Sequence, residues 1–441
     1  MGNDINETVG EKWLPKADDD RGEMPGRILA RGERARDHPL AVAYKMARQA
    51  SPRAFGSPMP DCILHYGFPK TGSTAIQVAL GTGLRDPRFR YGRFHEPPSD
   101  GGDHGRALAV LFSDRPASFH QNLQDGLGDA ELAPMRQRLV AQFDDEIARL
   151  DGATLFLHAE SVWFLELPGL ERLRDHLRAR DVRLRAVGYV RPLREGSESL
   201  FVQGVKSGIG KPSLLHLGHQ CGNQRRLVSS LDDLFGRERV DLWRYDRRTF
   251  PGGCVVADFC GRIGIASPPN GGDSINPGVS LDAVRLLYAY RKLRADGIPD
   301  RLTNAALVET CGDLGGERFR LHSSLFHRAI SRQGIHLDWL ESRVGASLRD
   351  GMADDSGPSI RCEEDLLDFS RESLDWLARR TGRAAGSLAG KDPRAVADAV
   401  DRLREIAVAE QVAAERKAAG LLARLGRRSR KLLGHFGRRS P

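Results

Sequence analysis

The sequence predicts an α/β protein: a parallel sheet flanked by helices on both faces, with extra helices toward the C-terminus. Three observations carry that expectation. Four short apolar runs, Cys62 to Tyr66, Ala153 to Leu157, Leu184 to Val190 and Val240 to Trp243, alternate with segments of helical period, as βαβ units do. The first run breaks into the turn Gly67-Phe-Pro-Lys-Thr-Gly-Ser-Thr74 and re-emerges with Ile76, Leu80 and Leu84 on one helical face, which reads as a strand, a phosphate-sized loop and a helix N-terminus. The third run ends in Arg191, a cation at the carboxyl end of a strand, where ligands of such sheets bind.

The remaining elements follow in order. Residues 1–57 are polar and broken by Pro and Gly, with a short helix at Ala41 to Gln49, and read as a loosely ordered leader. Arg88 to Gly92 is a candidate short strand, and Phe94 to His104 is rich in turn residues. Helices are expected at His104 to Phe112, Glu131 to Leu150, Leu170 to Arg180, Leu200 to Ser207, Asn223 to Phe235 and Cys254 to Ile263. The main α/β domain spans 58–385, within which 295–360 holds helices that read as a lid or an acceptor-selecting insertion. Residues 386–441 form an Ala/Arg-rich tail, helical in pattern from Ala395 to Ala419.

The turn fits the Walker frame G-x-x-x-x-G-K-[ST] at Gly67, Gly72 and Thr74, but the lysine slot holds Ser73 and the lysine stands earlier, at Lys70. The loop is thus of the P-loop type without being built for a metal-bound triphosphate. Backbone N–H groups and the helix dipole would face the anion, with the hydroxyls of Thr71, Ser73 and Thr74 as further donors.

This Gly67 to Thr74 loop resembles the 5′-phosphosulfate loop of the sulfotransferases that use 3′-phosphoadenosine 5′-phosphosulfate (PAPS). A second grip strengthens the resemblance. In that family a strand ends in an arginine, and a serine eight residues later on the next helix joins it on the 3′-phosphate; Arg191 and Ser199 have that order and spacing, with Ser197 a poorer fit. Weaker echoes are Arg244-Tyr-Asp to Pro-Gly252, Asp258-Phe to Gly264, Asn276-Pro-Gly to Asp282 and the helix Glu364 to Thr381, so the resemblance runs from Cys62 to Thr381. It implies the bacterial or cytosolic type of the family, with PAPS as co-substrate, no metal, and a hydroxyl- or amine-bearing acceptor such as a saccharide or lipid. The basic-glycine segment that closes over the 3′-phosphate in cytosolic members has no counterpart here, nor is there an identifiable adenine-stacking aromatic.

Sulfuryl transfer needs a cation where charge develops on the departing phosphate oxygen, and Lys70 is the candidate. It also needs a base for the acceptor hydroxyl. The resemblance places that base just past the strand before the arginine strand, where His158 and Glu160 stand two residues apart and can face one side. His104, His95 and Glu96 are loop alternatives, while His65, inside the first strand, reads as a core histidine. Lys206 and Lys211 could meet an anionic acceptor.

Composition bounds the rest. The whole-chain formal charge is +8, and the nine Lys/Arg and one acidic residue between Gln411 and Pro441 also give +8, which leaves residues 1–410 at zero. The folded part therefore has no bias toward nucleic acid. The six cysteines show no metal or redox spacing, and neither a secretory signal nor a membrane-length apolar stretch is visible, so a cytoplasmic protein is expected. In the tail, Leu421, Leu425, Leu432 and Phe436 could share a face among arginines, as in a helix lying on anionic lipid at the inner membrane surface. Gly420, Gly426, Gly434 and Gly437 weaken that helix and favour an unstructured basic tail. Two readings compete with the sulfotransferase: an ATP-dependent small-molecule kinase, set back by the displaced lysine, and an inactive nucleotide-binding or membrane-associated scaffold.

Overall fold

The computed structural model describes residues 61–94, 102–208, 212–268, 279–294, 300–349, 351, 355–390 and 392–436, with side chains through Lys417 and not for Arg301. The leader, His95, Glu96, Lys211 and residues 276–278 lie outside them. Among the described residues the chain forms five strands and thirteen α-helices. The strands are β1 (Asp61–His65), β2 (Phe89–Tyr91), β3 (Thr154–His158), β4 (Arg183–Val190) and β5 (Val240–Arg244). They form one parallel sheet in the order β2-β3-β1-β4-β5. The expected strands are all present, displaced by a residue or two at their ends.

Helices α1 (Ser73–Gly83), α2 (Gly105–Phe112), α3 (His120–Gln124), α4 (Asp129–Ala148), α5 (Glu166–Arg178) and α6 (Leu193–Ser207) are interleaved with the first four strands. Helix α7 (Gln220–Phe235) leads to β5 and α8 (Val255–Ile263) follows it. Beyond the sheet come α9 (Leu281–Leu293), α10 (Arg301–Gly312), α11 (Ser324–Val344), α12 (Arg371–Arg380) and α13 (Pro393–Phe436). Side-chain oxygens start three of these. Ser280 accepts from the Ala283 N–H, Asp300 from Thr303 and Ser370 from Ser373, each meeting a donor that the first helical turn leaves without an intrahelical acceptor.

Alternation along the strands divides the core in two. Cys62, Leu64, Leu155, Leu157, Leu184 and Ala186 face the larger cluster, which takes in α2, α4 to α7 and α9 to α13. Ile63, Phe156, Val187 and Tyr189 face a smaller one under α1 and α8 alone. Each fully buried leucine of this kind contributes about 1.5–3 kcal/mol.

The stretch expected as a lid or insertion, 295–360, places Leu307, Phe319, Leu321, Phe326, Leu337 and Leu340 in the larger core. Its α11 packs on α7 and β5, where Arg343 grips the Asp232 carboxylate with two donors. The C-terminal tail begins in the same core: Val396, Val400, Leu403 and Ala407 of α13 are buried against α9 and α10. Helix α13 then continues without a break to Phe436. No helix among the described residues is long and apolar enough to cross a membrane.

Candidate functional site

The turn between β1 and α1 is shaped by two left-handed residues. Lys70 has φ 67° and Gly72 φ 80°; a side chain other than glycine seldom takes this conformation, so Lys70 is held there by its surroundings. Gly67 and Gly72 are required by close approach. A Cβ on Gly67 would lie 2.1 Å from the Ser73 Oγ, and one on Gly72 2.6 Å from Val255 of α8. The buried Thr71 hydroxyl donates to the Phe68 carbonyl at 2.6 Å and lies 3.4 Å from the Ser73 Oγ. Thr71 and Ser73 thus brace the turn from inside, while Thr74 is exposed at the helix start. The Ile76 N–H bonds to the Gly72 carbonyl at 3.1 Å, so the N–H groups of residues 73–75 precede the helical ladder at its positive end.

The second expected grip meets this turn. Arg191, just past β4, donates from Nη1 to the Lys70 carbonyl at 2.8 Å. Its Nε lies 3.4 Å from the Glu195 carboxylate, and its guanidinium sits 4.9 Å over the Tyr245 ring, a cation–π contact. Tyr245 is held in turn by its N–H to the Val190 carbonyl at 2.8 Å. The Lys70 ammonium donates to Gln203 Oε1 at 2.5 Å. Ser199 stands one turn before Gln203 on α6, on the face that meets Lys70. Ser197 instead is buried and accepts from Gln220 Nε2 at 3.2 Å. Burial, and then the nearby Lys206, hold the Lys70 ammonium below its usual range, with Glu160 acting against the shift and Arg191 adding to it.

The three histidines near β3 form a buried chain. His65 and His158 are register partners at the ends of β1 and β3, and their Nδ1 atoms are 2.8 Å apart. One therefore donates to the other, and the pair cannot both carry a proton there. His65 also lies against Phe259 of α8, with ring centroids 5.0 Å apart, and burial drives its pKa down to about 3. Burial, then the neighbouring His65 and His104, hold His158 well below the ordinary histidine range. His104 accepts at Nδ1 from the His158 backbone N–H at 3.0 Å, which leaves Nε2–H to donate to the Gly92 carbonyl at 2.9 Å. It ties β2 to β3, with both ring nitrogens engaged by backbone.

Glu160 differs from them. It follows β3 by two residues, is only half-buried, and its pKa is pushed up to about 7, chiefly by burial and then by the Asp103 carboxylate, with Lys70 pulling it back. Lys70, Arg191 and Glu160 thus gather at the carboxyl edge of the sheet, where a parallel sheet takes its ligands. Of the expected base candidates among the described residues, Glu160 alone is both coupled to Lys70 and raised toward neutral pH.

Gln203, Asp103, Tyr245 and the His65–His158 contact were not legible as site features in the sequence. The signals available were slight: Gln203 lies four residues past Ser199, Tyr245 one past β5, and the two histidines close their strands.

The fold and this rim define an α/β protein in which a glycine turn carrying Lys70 meets Arg191 beside a carboxyl raised toward neutrality. No group of His, Cys, Asp and Glu that could hold a metal ion occurs among the described residues. No family model, curated protein or solved structure matches the chain.

Proposed function

We propose that the chain is a P-loop-type sulfotransferase that moves a sulfuryl group from PAPS to a hydroxyl or amine acceptor. The observation that carries this reading is the 2.8 Å bond from Arg191 to the Lys70 carbonyl, because it brings the two candidate phosphate grips to one rim, within the reach of a single doubly phosphorylated nucleoside. Thr71, Gly72, Ser73 and Thr74 supply the 5′-phosphate cradle through their backbone and the exposed hydroxyl of Thr74. Arg191 and Ser199 take the 3′-phosphate, the guanidinium by its planar fork.

Transfer proceeds by in-line displacement. The acceptor oxygen forms a bond to sulfur as the bond from sulfur to the bridging phosphate oxygen breaks, and the electron pair stays on the phosphate. Lys70 neutralises that oxygen. Glu160 takes the acceptor proton, since a base poised near neutrality combines the correct protonation state with driving force. His158, whose Nδ1 is committed to His65, and His104, held by backbone at both nitrogens, position the strand ends beside it. The chemistry as proposed uses no metal. Six cysteines held as thiols suit a reducing, cytoplasmic setting.

Thermal unfolding with 3′-phosphoadenosine 5′-phosphate tests the reading against ATP with Mg²⁺. Stabilisation by the bisphosphate is expected, followed by transfer of labelled sulfate from PAPS to a fraction of cell extract. Stabilisation by ATP with Mg²⁺ alone would replace it with a kinase, and nucleotide binding without transfer to any acceptor would replace it with a scaffold.

A further inference from the structure

The C-terminal helix is much longer than the helices it packs on. Helix α13 runs 44 residues, about 66 Å at the usual rise, and its contacts within the fold are with α9, α10 and α12. Val396, Val400, Leu403 and Ala407 are its buried stripe. Beyond them Val412 is 40% exposed and residues 413–417 are exposed, and the helix continues to Phe436, about 36 Å beyond Val412.

The sequence of that projection is partitioned around the helix. Stepping about 100° per residue places Leu421, Leu425, Leu432 and Phe436 within roughly one sixth of the circumference, with Leu422 and Leu433 widening the arc to one third. This arc lies on the same meridian as the buried stripe of Val396, Val400, Leu403 and Ala407. The cations Arg424, Arg427, Arg428, Arg430 and Lys431 fall outside the arc, as do Gly420, Gly426 and Gly434. Between Arg416 and Phe436 there are seven Lys/Arg and no acidic residue.

We infer that residues 416–436 form an interfacial helix that seats the protein on an anionic lipid surface. The apolar arc enters the acyl boundary while the cations meet lipid phosphates, the arrangement of peripheral amphipathic helices. Charge selects this occupant over the others. A second copy would set seven cations against seven, which opposes pairing of the two helices. A nucleic acid would use the cations and leave the leucines and Phe436 without a role. The three interior glycines weaken the stretch as an isolated helix, and burial of the arc at an interface supplies the stabilisation it lacks. Because the arc continues the meridian of the buried stripe, the body lies on the lipid side of the helix axis, so seating requires the helix to bend between Val412 and Leu421, where Gly420 falls.

Co-sedimentation of the full chain with vesicles is the test. Pelleting is expected with phosphatidylcholine vesicles containing phosphatidylglycerol, and little with phosphatidylcholine alone. Binding should weaken about fivefold for each of Arg427→Gln, Arg428→Gln and Arg430→Gln, and fall off in high salt. Leu425→Glu with Leu432→Glu should abolish it without moving the thermal midpoint. Leu425→Trp should show a blue-shifted emission on the anionic vesicles. Failure to pellet with phosphatidylglycerol, an unshifted tryptophan, or binding to duplex DNA that exceeds vesicle binding and ignores the leucine changes would each overturn the inference. Lys70→Ala should leave vesicle binding intact, so this result and the nucleotide result succeed or fail separately.

Discussion

The Arg191 guanidinium donates to the carbonyl oxygen of Lys70 across 2.8 Å, joining the end of β4 to the turn after β1. The two strands are neighbours in the sheet, so the contact follows from register once Lys70 adopts its left-handed φ of 67°. That conformation turns the Lys70 carbonyl toward Arg191. Its side chain meanwhile reaches Gln203 on α6. One residue therefore links β1, β4 and α6, and its strain is held in place by both contacts.

Replacing Arg191 separates recognition from fold. Arg191→Lys keeps the charge but loses the fork, the bond to Lys70 and the stacking on Tyr245, at a stability cost of about 1–2 kcal/mol. Its affinity for 3′-phosphoadenosine 5′-phosphate should fall by about 10- to 100-fold, whereas 5′-AMP affinity should barely change. Calorimetric titration of both nucleotides checks this; equal losses for the two would remove Arg191 from the 3′-phosphate.

Lys70 can be tested in two currencies at once. Lys70→Ala and Lys70→Gly both remove the cation, and each should slow transfer by about 10²- to 10³-fold if Lys70 meets the departing oxygen. Stability should move the other way between them. Glycine accepts positive φ without strain, so Lys70→Gly should be more stable than Lys70→Ala by about 1 kcal/mol. Urea unfolding and single-turnover kinetics on the pair decide it.

The sheet was legible in the sequence because its strands are apolar runs interrupted by turn residues; β1, β3, β4 and β5 are displaced by only a residue or two. The turn after β1 and the place of Arg191 just past β4 were legible because glycines and a cation follow directly on apolar runs. Legibility stopped where tertiary contact decides. That His104 would be consumed by the backbone of Gly92 and His158, or that Thr71 would face inward to the Phe68 carbonyl, depends on partners 12, 54 and 3 residues away. The extent of α13 was hidden for another reason: its glycines argue against a helix locally, while the packing of Val396 to Ala407 that starts it is non-local.

The His65–His158 pair gives the fold an acid limit. Both groups sit below their ordinary range in the folded chain, His65 at about 3, so between that value and the usual histidine range near 6.5 the unfolded chain binds more protons. Stability is then fully present above about 6.5 and is lost as pH falls toward 3. Replacing both rings by leucine removes the buried polar pair together and should flatten this slope, whereas His158→Leu alone strands the His65 nitrogen and should destabilise at all pH values by about 1–3 kcal/mol. Chemical denaturation from pH 4 to pH 8 reads the slope; a wild-type profile that is level across that window would show that the pair does not titrate with unfolding.

As the base of the proposed transfer, Glu160 would set the pH dependence of that reaction. A general base must be unprotonated, and burial and Asp103 raise this carboxyl to about 7, so the transfer rate should climb as pH rises through about 7 and level off above it. Stability runs opposite. A folded pKa above the unfolded one, near 4.3 in a free chain, means that the stability held at low pH is lost as pH rises through about 7. Glu160→Gln should erase both trends, lowering the rate by about 10²- to 10⁴-fold and leaving the nucleotide affinity in place. Asp103→Asn removes the second cause of the shift and should move the rate inflection to lower pH with the plateau retained. An inflection that stays near 7 in Glu160→Gln would assign the titrating base to another group.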